Sequence, residues 1–83
     1  MIPAANIPIS IDEPNWEPLE RVLTLRECSD FMYMGRAGEI EIYKHYATRR
    51  YLNIGRDCQT FYRYSEGKYV EVSQAEALDH VYR

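Results

Sequence analysis

Residues 38–64 alternate between apolar and polar side chains, and this alternation constrains the fold more than any other feature of the sequence. A period of two residues is typical of a strand buried on one face, whereas an amphipathic helix repeats every three to four residues. Ile40 and Ile42 are separated by polar residues, and Leu52 and Ile54 repeat the pattern after a break. The middle of the chain is therefore predicted to form paired antiparallel strands.

Helical segments are predicted before these strands. Pro18 suits the first turn of a helix, where its missing N–H is not needed. An apolar stripe with helical spacing follows from Trp16, Leu19, Val22 and Leu23. Thr24 and Glu27 have the spacing of a capping box, so we expect either a kink or a second short helix over residues 25–30. Residues 31–34 (FMYM) fit the end of this helix or a strand, and the GRAG turn sequence after them favours the strand.

The loop between the two central strands decides which side chains share a face. A slip of one residue moves every side chain of a strand to the opposite face. A two-residue loop places Glu41 opposite Leu52, whereas an odd loop at residues 46–48 places Ile42 opposite Leu52. The odd loop keeps the apolar pairs together, and the sequence therefore predicts this second register.

A further hairpin is predicted over residues 60–72. The sequence YSEG resembles a three-residue hairpin loop with Gly67 in the left-handed region. This loop places Tyr62 opposite Val70 on the buried side. The sequence favours this register over the alternative, which buries Phe61 and exposes Tyr62.

Ser73 and Glu76 form a second capping-box pattern, from which a helix is predicted to run close to the C-terminus. The predicted fold class is α+β, with an N-terminal helix that is kinked or divided into two short helices. A four- to five-stranded antiparallel meander sheet and the C-terminal helix follow, with the helices on one face. Residues 15–83 are expected to form this single domain. Residues 1–14 are expected to be an extended arm, which Pro8 restricts to an edge strand or an unpaired segment.

The predicted register leaves one sheet face uncovered by helices. Aromatic and basic side chains collect on this face, and a large exposed aromatic patch usually marks an interface or binding site. Tyrosine is abundant, with eight residues in a chain of 83, and Tyr, Phe and Arg are common interface anchors. The candidate interface residues are Tyr43, His45, Arg49, Tyr51, Phe61, Arg63 and Tyr69.

This face predicts a small non-enzymatic interaction module that self-associates, most simply as a homodimer. Another protein is a further candidate partner. Single-stranded nucleic acid is the alternative, because bases stack on aromatic side chains while Lys and Arg neutralise phosphates. The chain carries 10 Lys and Arg residues against 13 Asp and Glu residues, a net charge of −3. This balance argues against a general nucleic-acid coat and against binding to an anionic membrane.

A ribonuclease-like activity without a metal is the third alternative, with His45 and the neighbouring arginines as acid, base and cation. A solvated position at the end of a hairpin is the more ordinary role for His45. Cys28 and Cys58 are not in a CxxC motif and have no ligand-spaced histidine, so two reduced thiols and no metal or cofactor are expected. The sequence has neither a signal-peptide pattern nor an apolar run of membrane-spanning length, so a soluble cytoplasmic protein is expected.

Overall fold

The computed structural model describes residues 13–83, so the predicted arm lies outside the described residues except for its last two positions. In chain order the elements are α1 (Glu17–Glu20), α2 (Leu25–Cys28), β1 (Phe31–Ala37), β2 (Ile40–His45), β3 (Tyr51–Gly55), β4 (Phe61–Ser65), β5 (Lys68–Val72) and α3 (Gln74–Tyr82). The strands form one antiparallel sheet in the order β1-β2-β3-β4-β5. The α+β prediction, with a meander sheet and helices before and after it, is confirmed.

Two short helices precede the sheet, because the capping box at Thr24 starts a new helix instead of continuing the first. The Thr24 Oγ1 atom accepts a hydrogen bond from the Glu27 backbone N–H at 3.1 Å. The Glu27 carboxylate accepts one from the Thr24 N–H at 2.9 Å, and these bonds lower the pKa of Glu27. Ser73 caps α3 through the first of these two bonds: its hydroxyl oxygen accepts from the Glu76 N–H at 3.1 Å.

The FMYM segment is a strand, as the sequence favoured, but this strand continues through the first three residues of the predicted GRAG turn. The turn is limited to Gly38 and Glu39, and Gly35 lies inside β1. The β1–β2 register shifts between Tyr33 and Gly35, which marks a bulge at Met34. Gly35 has a φ of 108°, a conformation that favours glycine, so it accommodates the bulge without ending the strand.

The predicted register between the two central strands is wrong. Tyr43 pairs with Leu52, and Ile42 pairs with Asn53. The expected partners of Leu52 and Ile42 are therefore displaced by one residue. As a consequence, the isoleucines of β2 lie on the face opposite to that of Leu52.

The loop length explains this register. The His45 N–H donates to the Arg50 carbonyl, so four residues lie between them instead of the predicted three. Arg49 adopts a φ of 65°, which lets the longer loop close. The Thr48 hydroxyl donates to the Val81 carbonyl of α3 at 2.6 Å. A contact with a distant helix thus helps to hold a loop conformation that local sequence patterns do not reveal.

The β4–β5 hairpin also differs from the favoured prediction. Glu66 and Gly67 have φ angles of 53° and 79°, the two positive values of a two-residue type I′ turn. This turn places Phe61, not Tyr62, on the side of the sheet that the helices cover, with Val72 opposite Phe61. The alternative register, in which Phe61 is buried, is therefore the correct one.

Each face of the sheet carries its own apolar cluster. We call the side that packs against the helices the helix face and the opposite side the open face. The buried residues of the helix-face core are Leu19, Cys28, Phe31, Tyr43, Leu52, Ile54, Phe61, Ala77 and Val81. The buried apolar residues of the open face are Ala37, Ile40, Ile42 and Tyr69, with Met34 and Tyr62 packed against them. The helices thus cover Tyr43 and Phe61, whereas the isoleucines of β2 lie on the other side.

Candidate interaction site

The structure does not bring the seven predicted interface residues onto one face, because the register is shifted by one residue. The helix face holds Tyr43, His45, Phe61 and Arg63, the open face holds Tyr51 and Tyr69, and Arg49 lies in the β2–β3 loop. Tyr43 is fully buried and Phe61 is 3% exposed in the helix-face core. The predicted shared aromatic and basic face is therefore wrong, and Tyr51 and Tyr69 are the members that remain together on the open face.

His45 is a buried structural residue and not a solvated hairpin position. Its side chain is 7% exposed, and its ring makes edge contacts with Phe31 and Tyr82 at centroid distances of 4.9 and 5.2 Å. The Nδ1 atom accepts hydrogen bonds from the backbone N–H groups of Ala47 and Thr48, both at 3.2 Å. The imidazole is thus used to hold the loop after β2, which does not suit the role of an accessible acid or base.

One row of the open face presents large side chains to solvent, and we call it the exposed row: Met32, Lys44, Tyr51 and Tyr64. Register pairing places Met32 beside Lys44 and Lys44 beside Tyr51. Extending the β3–β4 register by two residues places Tyr51 beside Tyr64. Met32, Tyr51 and Tyr64 are 36%, 41% and 53% exposed. Four neighbouring strands therefore display a line of large side chains, of which all but Lys44 are apolar or aromatic.

The side chains of the exposed row are held by their neighbours. The Lys44 Nζ atom lies 5.6 Å from the centroid of the Tyr51 ring, within the range of a cation–π contact. The Tyr64 ring meets the Tyr69 ring edge to face at 5.3 Å. Tyr69 itself is only 6% exposed, and burial raises the pKa of its hydroxyl. A partner that binds here would order few additional rotamers.

A buried patch lies next to the exposed row, and we call it the apolar strip: Ala37, Ile40, Ile42 and Tyr69, with Met34 and Tyr62. Asn53 pairs with both Ile42 and Tyr62 across the sheet and is 3% exposed. Its Nδ2 atom donates to the Tyr62 carbonyl at 3.3 Å. Within residues 13–83, its Oδ1 atom has no hydrogen-bond partner although it is buried. A buried acceptor without a donor is unusual in a folded protein.

A buried carboxylate lies near the start of β2, on the helix face. Glu41 is fully buried and accepts hydrogen bonds from the Tyr33 hydroxyl at 2.5 Å and the Arg36 Nε at 3.1 Å. Asn15 Nδ2 donates to it at 3.3 Å. Burial and the bond to Glu41 raise the pKa of Tyr33 to about 12. We call these four residues the anchor cluster, because their hydrogen bonds fasten residue 15 to β1 and β2.

A polar cleft of about 280 Å³ adjoins the anchor cluster. Its lining residues are Glu13, Pro14, Asn15, Arg36 and Arg56. The Arg36 Nη2 donates to the Glu13 carbonyl at 3.0 Å, and the Arg56 Nε lies 3.7 Å from the Glu41 carboxylate. Both guanidinium groups thus already face Glu41. The cleft therefore does not present an uncompensated pair of cations to an anionic ligand.

Both cysteines carry free thiols. Burial raises the pKa of Cys28 and of Cys58. Within residues 13–83, no group of three or more His, Cys, Asp and Glu side chains is placed to hold a metal ion. Over the same residues, no helix has both the length and the apolar character needed to cross a membrane.

Comparisons with known proteins do not assign the chain to a family. No protein-family model matches it, and neither a curated protein nor a solved structure matches it. A fold class on its own does not determine function. The functional inference therefore rests on the geometry of the open face.

Proposed function

We propose that this protein is a small non-enzymatic interaction module that self-associates as a homodimer through the exposed row. The observation that carries this proposal is the position of Met32 on β1, Tyr51 on β3 and Tyr64 on β4, each more than a third exposed and all on one face of the sheet. Helices α1, α2 and α3 contribute their buried apolar residues to the core on the other side of the sheet. Tyrosine on a rigid surface is a typical anchor of protein interfaces.

Side chains of the exposed row are already held by contacts within the chain, and this favours binding. Two of its side chains are already in contact with neighbours, through the cation–π contact of Lys44 and the edge contact of Tyr64. Association loses conformational entropy when side chains become ordered at an interface, so a surface that is ordered beforehand loses less. A small chain also buries a limited fraction of its own surface, and a second copy would add to that burial.

The charges of the open face favour a protein partner over nucleic acid. Among the described strand residues on this face, Lys44 is the single basic side chain, and Glu71 contributes a negative charge. Proteins that bind single-stranded nucleic acid combine stacking residues with several cations that neutralise phosphates. The open face has the stacking residues without these cations. Arg63, which was expected there, instead lies 3.5 Å from Glu76 on the helix face.

Sedimentation equilibrium tests the proposal. The double variant Tyr51→Ser/Tyr64→Ser removes the two aromatic anchors, and Leu25→Ser/Tyr46→Ser removes two side chains that are more exposed but lie outside the row. We expect the wild type and the Leu25/Tyr46 variant to dimerise similarly. Truncating two anchors typically costs about 2–4 kcal/mol together, so the Tyr51/Tyr64 variant should dissociate about 30- to 1000-fold more readily.

Two results would contradict the proposal. A wild-type chain that remains monomeric at high concentration would exclude the homodimer. If the two double variants weaken dimerisation equally, the exposed row is not the specific contact. An electrophoretic shift of single-stranded RNA at low salt that is lost as salt rises would instead favour the nucleic-acid alternative.

A further inference from the structure

The last strand, β5, forms one edge of the sheet. Within residues 13–83, β4 is its only strand neighbour. Lys68, Val70 and Glu71 are exposed, and Val70 is 38% exposed although it is apolar. An edge strand presents unpaired backbone N–H and C=O groups, which can pair with the backbone of another chain. The position of β5 therefore allows a further strand to be added to the sheet.

The opposite edge, β1, is less suited to strand addition. Its register with β2 shifts between Tyr33 and Gly35, and Gly35 has a φ of 108°. A bulge twists an edge strand and interrupts its line of backbone groups, which is one way in which proteins prevent edge pairing. By contrast, β5 pairs with β4 in unbroken register from Lys68 to Val72. The regular edge of the sheet is therefore β5.

The hairpin turn determines which backbone groups of β5 point outward. In a β-turn the carbonyl of the first residue accepts from the N–H of the fourth, so Ser65 and Lys68 form a hydrogen-bonded pair across the turn. Bonded and non-bonded pairs alternate along an antiparallel ladder, so Val70 is also bonded to β4. The N–H and C=O groups of Tyr69 and Glu71 therefore point away from β4. In the described part of the chain, no backbone group of a loop, turn or helix bonds to them.

The side chains of β5 indicate the chemistry of a strand that would pair there. On the helix face, Val70 and Val72 offer an apolar surface. On the open face, Glu71 is exposed and, among the described residues, is not in a salt bridge. Apolar pairs and pairs of opposite charge on neighbouring strands stabilise a sheet. A strand in which apolar residues alternate with Lys or Arg is therefore complementary to β5.

A second copy of β5 is less complementary. In the antiparallel register that aligns all five residues of the strand, the two copies of Val70 lie opposite each other, and each Glu71 lies opposite a Tyr69. The two Glu71 residues are then diagonal neighbours on the same face, about 7–8 Å apart, and their negative charges repel each other. A partner strand with basic residues replaces this repulsion by attraction.

We propose that β5 is a docking edge for an extended segment of another protein in which apolar residues alternate with Lys or Arg. The segment forms backbone hydrogen bonds with Tyr69 and Glu71, packs an apolar side chain beside Val70 and places a basic side chain beside Glu71. The exposed row lies on the other four strands of the sheet. The inference therefore goes beyond the proposed homodimer and does not depend on it.

Amide hydrogen exchange, followed by NMR on the full chain, tests the proposal residue by residue. In the free protein we expect fast exchange of the Tyr69 and Glu71 amides and slow exchange of the Val70 amide, which is bonded to β4. The probe is a synthetic peptide in which valine and arginine alternate, and it should slow exchange at Tyr69 and Glu71 several-fold. A control peptide contains the same residues in two blocks, so it has the same charge without the alternation. The control peptide should protect neither amide.

Two substitutions at Glu71 separate the contribution of its charge from that of its backbone. Glu71→Gln removes the charge, and the alternating peptide should bind about 1.5- to 5-fold more weakly, as expected for one cross-strand charge pair. Glu71→Pro also removes the outward N–H group, and binding should weaken about 3- to 70-fold. Glu66→Gln is the matched control, because Glu66 is an exposed acid in the adjacent turn, and it should bind like the wild type. Far-UV circular dichroism establishes that each variant is folded, and Glu71→Gln decides the result if Glu71→Pro is not.

A variant of the exposed row distinguishes this proposal from the homodimer. Tyr51→Ser removes an anchor of the row on β3, two strands away from β5. This variant should dimerise more weakly and should bind the alternating peptide with unchanged affinity. Weakened peptide binding by a folded Tyr51→Ser variant would contradict the separation of the two surfaces.

Several results would overturn the proposal. If the alternating peptide protects neither Tyr69 nor Glu71, or if both peptides protect them equally, β5 does not select an alternating strand. Slow exchange of these two amides in the free protein at every concentration would show that the edge is already occupied. Slow exchange that is lost on dilution would show that a second copy of the chain occupies it instead.

Discussion

The two faces of the sheet bury different kinds of residue, and the difference does not follow from hydrophobicity. The helix face buries Tyr43, Glu41 and His45, and hydrogen bonds are made by the Tyr43 hydroxyl, the Glu41 carboxylate and the His45 Nδ1 atom. The open face buries Ile40 and Ile42 beneath no described helix and leaves tyrosines of the exposed row in solvent. The comparison teaches that the supply of hydrogen-bond partners, and not side-chain polarity alone, assigned residues to faces.

The neighbours Glu41 and Ile42 show this most directly. A free carboxylate is strongly disfavoured in a protein interior unless it is paired and hydrogen-bonded. Tyr33, Arg36 and Asn15 supply those bonds on the helix face. The cost of burying Glu41 is thereby offset, and Ile42 occupies the other face by the alternation of the strand.

The largest expected difference between the two faces is in packing. Phe61→Ala should lower the free energy of unfolding by about 3–5 kcal/mol, because it leaves a cavity in the helix-face core. Tyr64→Ala, on the exposed row, should lower it by less than about 1 kcal/mol, since the ring is half exposed. Urea denaturation, at a protein concentration too low for dimerisation, measures both losses of stability. Equal losses would contradict the assignment of Phe61 to the core.

The anchor cluster should contribute the next largest effect. Glu41→Ala removes the acceptor for Tyr33 and Arg36, and breaking a buried pair usually costs about 3–5 kcal/mol. Arg36 is partly exposed and can be rehydrated, so we expect a loss of about 2–3 kcal/mol. Glu39→Ala is the matched control, because Glu39 is exposed and lies on the adjacent turn. A Glu41 variant as stable as the Glu39 variant would show that the cluster is not an anchor.

Alkaline pH should weaken the helix face through Tyr33. Its folded-state pKa of about 12 lies above the ordinary value of 10.0, so its contribution to stability is complete below pH 10 and is lost as pH rises through 12. Tyr33→Phe should cost about 1.5 kcal/mol at neutral pH, as expected for a hydrogen bond to a charged group. The variant should also lose less stability than the wild type between pH 10 and 12. Parallel losses in denaturation experiments over this interval would contradict the prediction.

The smallest expected effect is at the turn between the last two strands. Gly67 has a φ of 79° and no heavy atom within 4 Å of an added Cβ, so Gly67→Ala changes backbone strain without a steric clash. Left-handed backbone costs an L-residue about 1–2 kcal/mol, and we expect a loss of about 1 kcal/mol. Thermal unfolding measures this change. A larger loss, above about 2 kcal/mol, would indicate that Gly67 contacts another part of the molecule.

The secondary structure was largely predictable because its signals are local. Each capping pattern, one beginning at Thr24 and one at Ser73, lies within a short stretch of the sequence. Both helix starts are confirmed. The alternation of Ile40 and Ile42 identified a strand correctly. The apolar stripe that begins at Trp16 does pack against the core, and the centroid of the Trp16 ring lies 5.6 Å from that of Tyr43.

The faces were not predictable in the same way, because their determinants are distant in sequence. The four-residue loop after β2 is held by His45 and by a bond from Thr48 to Val81 of α3. The burial of Glu41 depends on Asn15, 26 residues earlier. Pairing apolar residues with one another gave the wrong register, since that rule does not consider a buried carboxylate with its own donors. A single sequence contains these residues without revealing that they meet.

The most direct test of the interaction proposal is an isotope-filtered NOE experiment on an equimolar mixture of labelled and unlabelled chains. Only contacts between different chains give signals in this experiment. We predict intermolecular signals that join the rings of Tyr51 and Tyr64 to Met32 or to the same rings of the partner. Intermolecular signals confined to residues on the helix side, such as Leu25, or the absence of such signals at concentrations of roughly 1 mM, far above the usual dissociation constants of specific dimers, would contradict it.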